Sequence, residues 1–132
     1  METILIVDDE PDVRAVARDM LKAGGYGTLD TGDPMLALRI VRTESQPIHL
    51  LLTDVVMPLM NGRELADQIR AIRPGIKVLY MSAYSTETIE DYGVRIAPGE
   101  PFVMKPFTMD DLSSKVRAVL DYRSPFGRRS AP

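Results

Sequence analysis

Five side chains with chemistry to offer stand at the ends of apolar runs. Asp8 and Asp9 follow Thr3-Ile4-Leu5-Ile6-Val7, and Asp54 ends Ile48-His49-Leu50-Leu51-Leu52-Thr53. Ser82 follows Ile76-Lys77-Val78-Leu79-Tyr80-Met81, and Lys105 follows Phe102-Val103-Met104. A short apolar run between turn signals reads as a strand buried on both faces. A carboxylate ending such a strand needs a partner, because an ionised Asp in an apolar layer is costly unless paired, hydrogen-bonded or on a metal. Three carboxylates brought together would raise one another's pKa, and a divalent cation relieves that. Oxygen ligands without His or Cys favour a hard ion, Mg2+ or the similar Mn2+. Lys105 adds a compact positive charge for an anion, and Ser82 adds a hydroxyl. The set suits phosphoryl transfer, which is mostly positioning and charge neutralisation. Asp54 would be the nucleophile that forms an acyl phosphate, Asp8 and Asp9 would hold the metal, and Lys105 would neutralise the phosphoryl oxygens.

Taken singly, each residue has an ordinary explanation. Asp8 or Asp9 can cap a helix, Asp54 can end its strand by bonding to the loop, Ser82 can do the same, and Lys105 can be a solvated surface lysine. His49 precedes any site and reads as structural or surface, not as a phosphohistidine or a ligand. Only a shared sheet edge overturns these explanations, so the elements that carry the residues decide the matter.

The apolar pattern alternates between strand and helix. Val13, Val16, Ala17, Met20 and Leu21 recur at helical spacing, with Pro11 near the start and Gly24-Gly25 at the end. Residues 26–31 form a weak, polar strand suited to a sheet edge. Asp33-Pro34 opens a helix with Leu36, Ala37, Ile40 and Val41 inward. Asn61 caps a third helix burying Leu65, Ile69 and Ile72, which Pro74-Gly75 stops. Residues 85–91 make a short helix and 93–101 a loop. Thr108 with Asp111 is a capping-box signature before a helix burying Leu112, Val116, Val119 and Leu120. Strands and helices alternating on this period predict βαβ units and an α/β fold, a parallel sheet with helices on both faces. Parallel strands end on the same side, so the five side chains converge on one edge.

The totals exclude other classes. One domain is expected from 132 residues, placed at 1–122, with 123–132 as a mobile tail or linker. The formal net charge of -3 gives no basic surplus and so no nucleic-acid partner. The absence of cysteine rules out disulfides and zinc–thiolate sites. No stretch is apolar for long enough to span a bilayer. The expectation is a cytoplasmic chain without membrane contact.

The pieces Ile6-Val7-Asp8-Asp9-Glu10, Thr53-Asp54-Val55-Val56-Met57-Pro58, Met81-Ser82-Ala83 and Lys105-Pro106-Phe107 together resemble a response-regulator receiver domain of two-component phosphorelays. The resemblance implies a flavodoxin-like (βα)5 sandwich with strand order 2-1-3-4-5. It implies Asp54 as phosphoacceptor, with Asp8, Asp9, Asp54 and the Val56 carbonyl as metal ligands and Ser82 and Lys105 on the phosphoryl group. It also implies a cis Lys105–Pro106 bond. Ser82 and Phe102 would form the switch, although Phe102 stands where the family more often has Tyr. Val56 and Tyr84 would tune hydrolysis. The partner would be a histidine kinase or a histidine phosphotransfer domain, with a homodimer left open. On this reading the chain is not an enzyme, and any histidine kinase activity resides elsewhere.

Several features are similar to receivers of hybrid sensor histidine kinases: the short fourth helix, the 93–101 loop, and the stretches Leu51 to Pro58 and Met81 to Tyr84. A magnesium-dependent aspartyl-phosphate phosphatase is the competing enzyme reading. Val56 argues against it, because that class usually has a second Asp there as general acid.

Overall fold

The alternation of Ile4 and Ile6 with Leu5 and Val7 shows how the chain builds its central layer. Ile4 and Ile6 pack into one apolar cluster with Leu50 and Leu52, while Leu5 and Val7 pack into the other with Leu51. Both faces of these strands are covered, so the strands must be apolar throughout. Each fully buried aliphatic side chain in this layer contributes about 2 kcal/mol to stability.

The computed structural model describes residues 1–123. The elements follow one another as β1 (Thr3–Val7), α1 (Pro11–Ala23), β2 (Gly27–Thr31), α2 (Pro34–Thr43), β3 (Leu50–Asp54), α3 (Gly62–Ile72), β4 (Lys77–Ser82), α4 (Thr86–Asp91), β5 (Phe102–Met104) and α5 (Met109–Asp121). All strand pairings are parallel and the order is β2-β1-β3-β4-β5, as expected from the sequence. α1 and α5 cover one face, with Ala17, Leu21, Leu112 and Val116 buried. α2 and α3, with Ile89, Val94 and Ile96, cover the other. Among the described residues no helix is long and apolar enough to cross a membrane. The expected tail lies, apart from Arg123, outside the described residues.

The helix starts are written in side chains. Asp33 accepts the Met35 N–H at 2.8 Å. Asn61 and Glu64 form a reciprocal capping box, as do Thr108 and Asp111. The weak β2 lies at the sheet edge, and 93–101 has neither helix nor strand. The loop is tied down by Arg63, whose guanidinium donates to Glu100 at 3.0 Å and to the Arg95 carbonyl at 3.2 Å. His49 is structural: its Nδ1 accepts the Thr3 N–H, and its own N–H donates to the Thr3 carbonyl, both at 2.9 Å.

Two helix faces differ from expectation. α2 buries Ala37, Leu38 and Val41, while Leu36 is 43 % exposed and Ile40 only half-buried. Leu36 lies about 100° around the helix from Ala37, and both stripes fit the apolar spacing. The contact with the sheet selects one of them. On α1, Val16 is 48 % exposed for the same reason.

Candidate functional site

The sheet register brings the acids together. β1 and β3 pair up to Val7 opposite Thr53, so Asp8 and Asp54 leave neighbouring strands side by side. Asp54 lies opposite Met81, and Ser82 lies opposite Met104, with Lys105 next. The Lys105 N–H donates to the Ser82 carbonyl at 2.8 Å, and the following bond to Pro106 is cis. Four strand ends therefore frame one cup.

Lys105 is its centre. Its Nζ lies 2.8 Å from Asp8 Oδ2, 3.3 Å from Asp54 Oδ1 and 3.5 Å from Glu10 Oε1. The Lys105 side chain is only 7 % exposed and Asp8 is fully buried. Burial pulls the Lys105 ammonium down, but Asp8 and Asp54 outweigh it and leave the pKa raised, so Lys105 is a firm cation. Asp54 behaves in the opposite way. Burial pushes its carboxyl up to about 7; Lys105 offsets part of the rise, while Asp8 and Asp9 add to it. The Val55 N–H donates to Asp54 Oδ1 at 3.0 Å and fixes the carboxylate's direction.

The oxygen set fits a divalent cation. Carboxylate oxygens of Asp8, Glu10 and Asp54 lie within 4.8 Å of one another. Among the described residues, the Lys105 ammonium is the one cation in ion-pair contact with these three acids. Asp8 Oδ1 accepts the Glu10 N–H at 2.9 Å. Asp8 Oδ2 is buried, lies 2.8 Å from the Lys105 ammonium, and has no other hydrogen-bond partner among the described residues. A buried carboxylate oxygen with a free lone pair beside two further acids is a ready place for a hard ion.

Glu10 takes the place in this group that the sequence suggested for Asp9. Asp9 is exposed, and its carboxylate lies outside the 4.8 Å group, although its charge is felt at Asp54. The turn into α1 decides this. Glu10 occupies the N-cap position, but its side chain caps nothing and reaches Lys105 instead. Its position beside Asp8-Asp9 is the only signal of this in the sequence.

Ser82 is fully buried at the end of β4, and its Oγ accepts the Tyr84 N–H at 3.0 Å. Phe102 lies opposite Tyr80 and is half-buried, so it shares a sheet face with Ser82 two residues on. Tyr84 is 41 % exposed at the rim, its ring centroid 5.4 Å from that of Tyr92. Val56 is half-buried two residues beyond Asp54.

Gly62 reads in the sequence only as part of a turn signal, yet it borders the site. Its N–H donates to the Val55 carbonyl at 2.7 Å, and a Cβ there would lie 2.1 Å from the Asp54 carbonyl oxygen. Only a residue without a side chain lets α3 approach β3 so closely.

A family model described as response regulator receiver domain matches residues 4–117. The sensor kinase CckA of Brucella abortus is 31 % identical over 122 residues, which cover 90 % of this chain but 12 % of the kinase. The response regulator receiver protein CpdR of the same organism is 32 % identical over 123 residues, covering 91 % of this chain and 98 % of CpdR. A crystal structure of the receiver domain from the hybrid histidine kinase CckA superposes with a TM-score of 0.74 at 32 % identity, covering 90 % of this chain and 99 % of that domain.

Proposed function

Since the chain belongs to the response regulator receiver domain family, we propose that it accepts a phosphoryl group from a phosphohistidine onto Asp54 and changes conformation in response. The donor is a histidine kinase or a histidine phosphotransfer domain. The observation that carries this reading is the Lys105 ammonium lying 3.3 Å from Asp54 and 2.8 Å from Asp8, at the edge where parallel strands end.

An ionised Asp54 oxygen attacks phosphorus; the new P–O bond forms as the P–N bond breaks, and its electron pair returns to the imidazole nitrogen. Lys105 neutralises the phosphoryl oxygens as they arrive. Asp8 and Asp54 would hold Mg2+ or Mn2+, with Glu10 or Asp9 and the Val56 carbonyl completing the oxygens, and the ion would supply further charge neutralisation. The chain turns over no substrate of its own. The Ser82 hydroxyl then turns toward the phosphoryl oxygens, and Phe102 moves into the vacated space. Phe102 has no hydroxyl, so the signal is read by packing rather than by a hydrogen bond. The two states differ in population, and phosphate favours one.

Incubation with magnesium and acetyl phosphate, followed by intact mass measurement, tests the reading. A single-phosphoryl adduct on the wild type, absent from Asp54→Asn, is expected. Turnover of a small phosphoester would point instead to a phosphatase, and no adduct from any donor to a plain binding module.

Tyr84 and Val56 flank the mouth without an acid to orient water. The phosphorylated form is therefore long-lived, and Tyr84→Glu is expected to speed dephosphorylation roughly tenfold by holding a water molecule. A rate that is unchanged or slower counts against this role for Tyr84.

The similarity to a receiver within a sensor kinase supports a second setting, in which this domain works in a hybrid histidine kinase. The similarity to CpdR over nearly its full length supports the free-standing one. In either setting the exchange takes place in the cytoplasm.

A further inference from the structure

The Asp8 carboxylate is buried, has one oxygen whose only close polar neighbour among the described residues is the Lys105 ammonium, and lies one residue past the point where β1 stops pairing with β3. The Glu10 N–H, 2.9 Å from Oδ1, and the Lys105 ammonium, 2.8 Å from Oδ2, hold the carboxylate itself, but the main chain that carries it has left the β1–β3 ladder and needs a separate support. We propose that Arg14 is the positioning residue for Asp8: its guanidinium holds the Asp8 main chain so that the carboxylate faces Lys105 and Asp54. This inference rests on the phosphoacceptor reading above and adds to it a residue that does not touch the reacting atoms.

The geometry is specific. Arg14 Nη1 donates to the Asp8 carbonyl at 2.7 Å, and Nε donates to Asp30 Oδ2 at 3.1 Å. Asp30 belongs to β2, so one planar fork links α1, β2 and the end of β1. The Asp8 N–H donates to the Thr31 carbonyl at 3.2 Å. Both main-chain groups of Asp8 are thus held, one by β2 directly and the other through Arg14. Gly32 leaves space for the fork: a Cβ there would lie 2.5 Å from Arg14 Nη1 and 3.4 Å from the Asp8 carbonyl oxygen. The Arg14 side chain is 22 % exposed, so water does not easily take its place at the carbonyl.

The ordinary alternative is a helix-to-strand ion pair that merely steadies the fold. The two readings differ in sign at the metal. Arg14 is a cation near the acids, so removing its charge should tighten binding of a divalent cation if electrostatics alone governs. If Arg14 positions Asp8, its removal weakens binding, because groups that orient a ligand typically matter about 10–100-fold. Lysine keeps the charge but cannot present two rigidly spaced donors to the Asp8 carbonyl and Asp30 together.

The test is Mg2+ affinity in wild type, Arg14→Ala and Arg14→Lys, read from amide-proton shifts or calorimetry with the metal alone, alongside the Tm of each protein. The expected result is roughly tenfold weaker binding in both variants, with the Arg14→Lys protein folded. Should Arg14→Ala fail to fold, Arg14→Lys decides by itself. Unchanged or tighter binding with a lowered Tm would overturn the proposal and leave Arg14 a structural brace. If the wild type forms the Asp54 adduct and the variants bind Mg2+ equally well, only the Arg14 proposal fails. If the wild type binds no Mg2+ and forms no adduct, the phosphoacceptor reading fails and this one with it.

Discussion

In magnesium-free buffer, Asp54→Asn should make the protein more stable than wild type at pH 8, and this advantage should vanish near pH 4. Burial holds the Asp54 carboxyl at about 7 in the folded protein, against an ordinary value of 3.8. Between those values the folded chain keeps a proton that the unfolded chain has released. Stability therefore falls as pH rises through that window, because the unfolded state binds fewer protons. Above pH 7 the wild type carries the full cost of an ionised, buried Asp54. Each pKa unit corresponds to about 1.4 kcal/mol. The cup opens to solvent, which screens the charge, so the expected gain for the neutral amide is about 1–2 kcal/mol. Asparagine keeps the shape and can still accept the Val55 N–H. Urea unfolding of both proteins from pH 4 to 8 measures the effect, and parallel curves would show that Asp54 carries no such strain. Added Mg2+ should narrow the gap at pH 8, since a ligand that binds only the folded state stabilises it.

Gly62→Ala should cost about 2–4 kcal/mol and impair phosphoryl acceptance even where the protein remains folded. The added Cβ would lie 2.1 Å from the Asp54 carbonyl oxygen, well under the 3.0 Å that real contacts respect. That oxygen belongs to the fully buried strand β3, so it has little freedom to retreat. α3 must move away instead, stretching the 2.7 Å bond from the Gly62 N–H to the Val55 carbonyl. Gly62 is not in the left-handed region, so the penalty arises from space rather than from dihedral preference. Gly75→Ala is the matched control, because a Cβ there meets nothing within 4 Å. It should change stability by less than about 0.5 kcal/mol. Thermal melts of the three proteins compare them directly, and equal melting of the two variants would refute the steric account. Asp54 phosphorylation of Gly62→Ala, measured by mass below its Tm, gives the functional half.

Several parts of the fold are legible in the amino-acid sequence. The runs Thr3 to Val7 and Ile48 to Thr53 are apolar at nearly every register, which only a strand covered on both faces tolerates. Their alternation with helical spacing implies a parallel sheet, and a parallel sheet places Asp8, Asp54, Ser82 and Lys105 at one edge. The caps at Asn61 and Thr108 are equally local, since a side chain three residues from its partner N–H needs no tertiary context. The inward face of α2 is not legible, because Leu36 and Leu38 fit the helical spacing equally well.

Sequence alone thus determined which residue types end which strands, and with them the kind of chemistry the protein can support. Tertiary structure alone decided that Glu10 rather than Asp9 reaches Lys105, that Gly62 must lack a side chain, and that Arg14 donates to the Asp8 carbonyl. Strand ends follow from short-range periodicity, which a linear chain displays openly. The direction of a turn and the clearance between two backbones arise only when distant segments pack, and no single stretch of sequence encodes them.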